Sequence, residues 1–123
     1  MRSMNIGLLI AGVLGASGVA AGAFGAHALE GMVTAERLAV WETAAYYHLI
    51  HAVAVMVLAL QSHPALWRLP IVGFALGIGL FSFSLYALVL TGITTFAEVT
   101  PVGGLLLIIS WLSVALKARR RPD

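Results

Sequence analysis

The stretch WETAAYYHLIHAVAV, residues 41–55, opens with a carboxylate and closes as hydrocarbon, and every residue from Ala52 to Leu60 is apolar. Its second half reads as a membrane span. Its first half places Glu42, His48 and His51 within ten residues of one another. Helix face and depth decide whether those three groups form one site or several.

The whole chain shares the apolar bias. Its 123 residues are 61% hydrophobic and 10% charged, with a mean hydropathy of +1.01. Soluble domains run near a quarter charged, so this composition points to a single domain, residues 1–123, whose outer surface is lipid. Cysteine is absent, which excludes disulfides, thiolate metal sites and cysteine nucleophiles. The net charge of +2 is no nucleic-acid signal, because four of the seven Lys and Arg residues sit in the final KARRRPD. A basic cluster beside an apolar helix sets topology first and touches anionic lipid second.

Four runs are long enough to cross the roughly 20-residue hydrocarbon core. The expected fold is therefore all-α, a polytopic four-transmembrane-helix bundle with spans at about 5–29, 37–61, 69–91 and 101–117. Arg2 and the small residues of GVAAGAFGA could also compose a signal peptide, but three further spans and the length of the run favour a retained helix. Gly31 suits the end of the first helix and Thr34 the N-cap of the second, with Glu36 in its first turn. Pro70 marks the entry to the third span, and Thr100-Pro101 reads as an N-cap followed by proline. Four spans put both termini on one side, together with Arg2, Arg68, Lys117, Arg119, Arg120 and Arg121, against Arg37 alone on the other. The positive-inside rule then places the N and C termini in the cytoplasm.

Gly15, Gly18, Gly22 and Gly25 form a stripe on helix one, and Gly73, Gly77 and Ser84 a second on helix three. Small residues let helix backbones approach closely in lipid. Packing within one chain is the favoured use of both stripes, ahead of a homodimer face.

With Trp41 and Gly92 as the outer boundary, a 1.5 Å rise per residue puts His48 level with Tyr86 and His51 level with Ser82, about 10 and 15 Å deep. A 100° turn per residue places Trp41, Ala44, His48, His51 and Val55 on one face of helix two, with Glu42 and Tyr46 opposite. The expectation is a buried polar cluster of His48, His51, Ser82 and Tyr86, with Ser84 counted beside it, while Glu42 stays at headgroup level. Neutral histidines bound to hydroxyls or carbonyls are polar glue; intramembrane titratable groups also serve proton, metal or ligand roles. Both uses stand open, with glue favoured. His27 lies about 15 Å shallower than His51, too far for the two to share a haem or metal. No P-loop, HExxH motif, paired intramembrane carboxylates or nucleophile elbow is present. No catalytic group, metal ligand set or cofactor is assigned.

Four blocks, GAFGAHAL (22–29), WETAAYYHLIHA (41–52), LFSFSLYAL (80–88) and TPVGG (100–104), occur together with a tryptophan at 111. This set resembles the small four-span membrane proteins of the domain of unknown function 423 family, which takes in the vertebrate transmembrane protein 256. The resemblance covers nearly the whole chain and falls on Gly22, Phe24, Gly25, His27, Trp41, Thr43, Ala44, Tyr47, His51, Ser82, Ser84, Tyr86, Thr100, Pro101, Gly103 and Gly104. The chain departs from the pattern at Phe83, where glycine is expected, and at His48, where histidine is not. The resemblance implies a bacterial plasma-membrane location and brings no established activity. All four blocks fall at or in the outer half of the expected bundle, with His27, Trp41, Tyr47, Thr100, Pro101, Gly103 and Gly104 as its outer-face motif. The expected function is a non-enzymatic membrane protein working as a homo-oligomer or as an accessory subunit of a larger membrane complex, with the lipid bilayer as its constant partner and no nucleic acid. A transporter or channel for a proton or small polar solute ranks second, and a histidine-ligated metal or haem protein third.

Overall fold

A computed structural model describes residues 3–119; Arg2, Arg120 and Arg121 lie outside the described residues. Nearly everything described belongs to four antiparallel helices: α1 (Ile6–Leu29), α2 (Ala35–Ala59), α3 (Pro64–Thr91) and α4 (Thr100–Lys117). A 3₁₀ turn, Thr94–Glu98, leads into α4 and belongs to the same span. All four spans are long and apolar enough to cross a membrane, and no strand occurs among the described residues.

Local chemistry sets the helix ends. The Asn5 side chain accepts from Leu8 N at the start of α1 and donates to Ala59 O at the end of α2, which ties the two helices together. Gly31 takes a φ of 82° in the α1–α2 turn, a left-handed conformation that costs glycine little. Thr34 Oγ1 then accepts from Arg37 N at 3.1 Å and caps α2. Gly92, at φ 73°, closes α3 by donating its N–H to Leu88 O at 2.8 Å.

Two boundaries differ from the sequence expectation. α3 begins at Pro64, five residues before Leu69, because proline in a first turn gives up an N–H that has no helical partner anyway. Pro70 is consequently inside the helix, buried, rather than at its entry. At α4 the cap position belongs to Val99, and Thr100 is already the first helical residue. The preceding 3₁₀ turn delivers the chain into the helix and frees the Thr100 hydroxyl for α3.

α2 and α3 form the middle of the bundle, with α1 against α2 and α4 against α3. An apolar core of Ala11, Val55, Leu58, Trp67, Phe74 and Leu107 fills the half nearer the termini. The other half, toward the 30–34 and 92–99 loops, holds most of the interhelical polar contacts. These ends are called the terminal end and the hairpin end below.

The glycine stripes pack inside the chain at most of their positions. A Cβ on Gly18 would lie 3.3 Å from the His48 ring, and one on Gly25 would lie 2.6 Å from Trp41. Cβ atoms on Gly73 and Gly77 would collide with Ser110 and Leu107 of α4. Gly22 is looser, 3.8 Å from Ala45, and Gly15 faces open space. The stripe on α1 therefore seats α2, and the stripe on α3 seats α4.

Candidate functional site

Each of the two polar motif blocks on α1 and α3 overlaps a π-helical segment, Ala20–Gly25 and Gly79–Phe83. A π turn inserts one extra residue, widens the helix and leaves carbonyls tilted outward for other donors. α2 lies between both segments and engages each. Trp41 Nε1 donates to Ala21 O at 2.8 Å, with its ring over the bare Cα of Gly25 and 4.5 Å from the ring of Tyr86. Ser82 Oγ donates to Ala44 O at 2.8 Å. Trp41 is only 8% exposed. It is a brace on the inward face of α2, because the π segment offers its indole N–H an acceptor.

The expected cluster of His48, His51, Ser82 and Tyr86 separates into two networks plus a serine clasp. In the first, Tyr86 Oη lies 2.9 Å from His48 Nδ1 and Ser17 Oγ lies 3.0 Å from His48 Nε2. The Ser17 hydroxyl also reaches Val13 O and Leu14 O of its own helix. A neutral His48 donates through one ring nitrogen and accepts through the other, so it joins Ser17 and Tyr86 in either tautomer. The chain Tyr86–His48–Ser17 links α3, α2 and α1 in one line.

In the second network, Trp111 Nε1 donates to His51 Nε2 at 3.0 Å, and His51 Nδ1 lies 2.7 Å from Tyr47 O. An indole N–H only donates, so His51 carries its proton on Nδ1 and gives it to the Tyr47 carbonyl. Each histidine has its one lone pair occupied by a donor from another helix, which leaves no nitrogen for a metal in this arrangement. Among the described residues no group of three or more His, Asp or Glu side chains is placed to hold a metal ion.

Ser82 reaches neither histidine. Ser84 Oγ meets Thr100 Oγ1 at 2.6 Å and donates to Phe81 O, which clasps α4 to the π segment of α3. Gly103 adds to that clasp, for its backbone lies directly against Leu80 and Phe81. Of the other outer-face positions, Pro101 is exposed in the first turn of α4 and Gly104 faces the Phe81 ring. His27 is exposed, 4.0 Å from the Glu30 carboxylate, and takes no part in either network. Glu42 is exposed on the lipid-facing side of α2, with Tyr46 one turn further on. Arg37 reaches across to donate to Leu88 O at 3.0 Å.

Two partners escaped the sequence reading. Trp111 lies 11 residues into α4, about 16 Å, which matches the depth assigned to His51. Ser17 sits inside the glycine stripe of α1, opposite His48 in the hairpin. The same depth arithmetic, extended to α1 and α4, contained both signals.

The His51–Trp111 bond joins helices that otherwise touch little, and buried interhelical bonds of this kind couple by about 1 kcal/mol. In a double-mutant cycle, Trp111→Phe and His51→Phe are expected to be non-additive by that amount in unfolding from micelles. Strict additivity would show that the bond contributes nothing.

With the geometry in place, the comparisons are direct. Residues 21–104 match the family described as Protein of unknown function (DUF423). The chain belongs to this family. The UPF0382 membrane protein of Staphylococcus saprophyticus is 36% identical over 115 residues, 92% of this chain and 96% of its own length. The UPF0382 membrane protein YwdK of Bacillus subtilis is 35% identical over 119 residues, 94% of this chain and 97% of its own. A Haemophilus influenzae UPF0382 membrane protein is 38% identical over 99 residues, 79% of this chain and 80% of its own. No solved structure matches the chain. The family names an integral membrane protein of unassigned activity, and its matched region runs from the first π segment to the Gly103–Gly104 pair.

Proposed function

We propose that the protein is a non-enzymatic four-helix unit of the bacterial plasma membrane, working as a homo-oligomer or as an accessory subunit of a larger membrane complex. The observation that carries this reading is polar satisfaction. Among the described residues, every buried side-chain nitrogen and oxygen has a partner within the chain. Most of the buried polar side chains are used in joining one helix to another, which is the work of packing. The charge distribution supports termini in the cytoplasm: Arg68, Lys117 and Arg119 lie at the terminal end, against Arg37 toward the hairpin end.

Single-molecule photobleaching of labelled protein in native-lipid nanodiscs tests assembly. More than one copy per disc, or a partner that copurifies in stoichiometric amount, is expected. A lone monomer in every lipid composition would sink the reading. Proton-coupled transport has one observation in its favour, the hydrogen-bonded line Tyr86–His48–Ser17 across three helices. Liposome flux that His48→Phe and His51→Ala both leave unchanged removes it.

A further inference from the structure

A groove of about 500 Å³ opens between α2 and α4, walled by Tyr46, Tyr47, His51, Phe81 and Trp111 with Gly104 at its floor. Residues of three motif blocks converge on it, and its rim faces lipid: Tyr46 is 64% exposed and Trp111 46%. Three observations specify what fits. The first is Gly104. A Cβ there would sit 3.6 Å from the Phe81 ring, an ordinary contact, so nothing inside the chain requires glycine at this position. Its bare Cα instead leaves the groove floor open. The second is the pair of phenol hydroxyls on Tyr46 and Tyr47. Neither has a hydrogen-bond partner among the described residues, and both tyrosines stand midway along the 25-residue α2, where hydrocarbon offers no acceptor. His51 and Trp111 already satisfy each other. The free polar groups of the groove are therefore two neutral hydroxyls. The third is the aromatic wall. The Tyr47 ring lies within 16° of parallel to His51 at 5.9 Å and packs on Phe81 at 4.6 Å, a stack that a flat ring extends.

We propose that this groove binds a lipid-soluble molecule of the quinone class. Its planar neutral ring packs against Tyr47 and Trp111 over Gly104, a ring carbonyl accepts from the Tyr47 hydroxyl, and its apolar tail remains in the bilayer. Charged ligands are disfavoured, since no charged side chain lines the groove. This binding does not depend on whether copies assemble.

The test titrates the full-length protein, in micelles and in nanodiscs, with a short-tailed ubiquinone while following tryptophan fluorescence. Saturable quenching is expected, because Trp111 lines the groove while Trp41 and Trp67 are buried elsewhere. Tyr47→Phe is expected to raise the apparent Kd about fivefold, the equivalent of one hydrogen bond. Gly104→Leu fills the floor and is expected to abolish saturation with an unchanged melting temperature. Gly15→Leu, on the opposite seam where nothing is close, leaves binding unaltered. Quenching that only tracks partition of the quinone into the micelle overturns the proposal. Equal displacement by a plain long-chain alkane overturns it too, by making the groove an acyl-chain surface. Should Gly104→Leu fail to fold, an unchanged Kd in Tyr47→Phe is the overturning result.

Discussion

Gly103→Val is expected to loosen α4 from α3 and lower stability by about 3 kcal/mol, at the upper end of overpacking costs. The reason is backbone. A Cβ at 103 would run into Phe81 N and would lie 2.6 Å from Leu80 C and 2.8 Å from Phe81 Cα. None of these atoms can move without displacing the π segment of α3, and that segment is held to α2 by Ser82 and to Thr100 by Ser84. Gly104→Ala, one residue on, meets only ordinary contacts and is expected to be neutral. Thermal unfolding of the purified variants in one detergent measures the difference. Equal melting temperatures for the two would show that the close approach at Gly103 does not hold the helices together.

Trp41→Ala is expected to cost about 3–5 kcal/mol, the range for removing a large buried aromatic. Its ring covers Gly25 and stacks near Tyr86, so the loss opens a cavity where α1, α2 and α3 meet. Trp41→Phe keeps most of the ring and removes the N–H to Ala21 O, for an expected loss of about 1 kcal/mol. A tryptophan that served only as a headgroup anchor would tolerate both changes. Unfolding by a graded denaturing detergent, with helical content followed by circular dichroism, separates the cases. The ordering wild type, then Phe, then Ala is the expected result.

Much of the fold was legible because hydrophobic run length is a one-dimensional property. Long apolar spans, Gly31, Thr34 and Gly92 each act locally, and the helices form where these signals fall. Helix faces on α2 were equally legible: Trp41, Ala44, His48, His51 and Val55 share one side and all are buried. On α3 the depth bookkeeping slipped. It took Trp41 and Gly92 as one level and so set Ser82 beside His51. Ser82 Oγ instead meets Ala44 O, nearer the hairpin end, and only the long Tyr86 side chain reaches a histidine. The start of α3 was misplaced for a different reason, since Pro64 and Pro70 carry the same entry signal and only packing distinguishes them.

By itself, the sequence determined a four-span membrane protein, the inward face of α2, and the use of glycine at Gly18, Gly25, Gly73 and Gly77 for close helix contact. These follow from residue type and spacing along single helices, where hydrocarbon forces every backbone group into local hydrogen bonds. Only the tertiary structure decided that His48 belongs with Ser17 and Tyr86, that His51 belongs with Trp111, and that Trp41 braces a π segment. Each of those pairings depends on the rotation of one helix against another, and a single extra residue in a turn resets it.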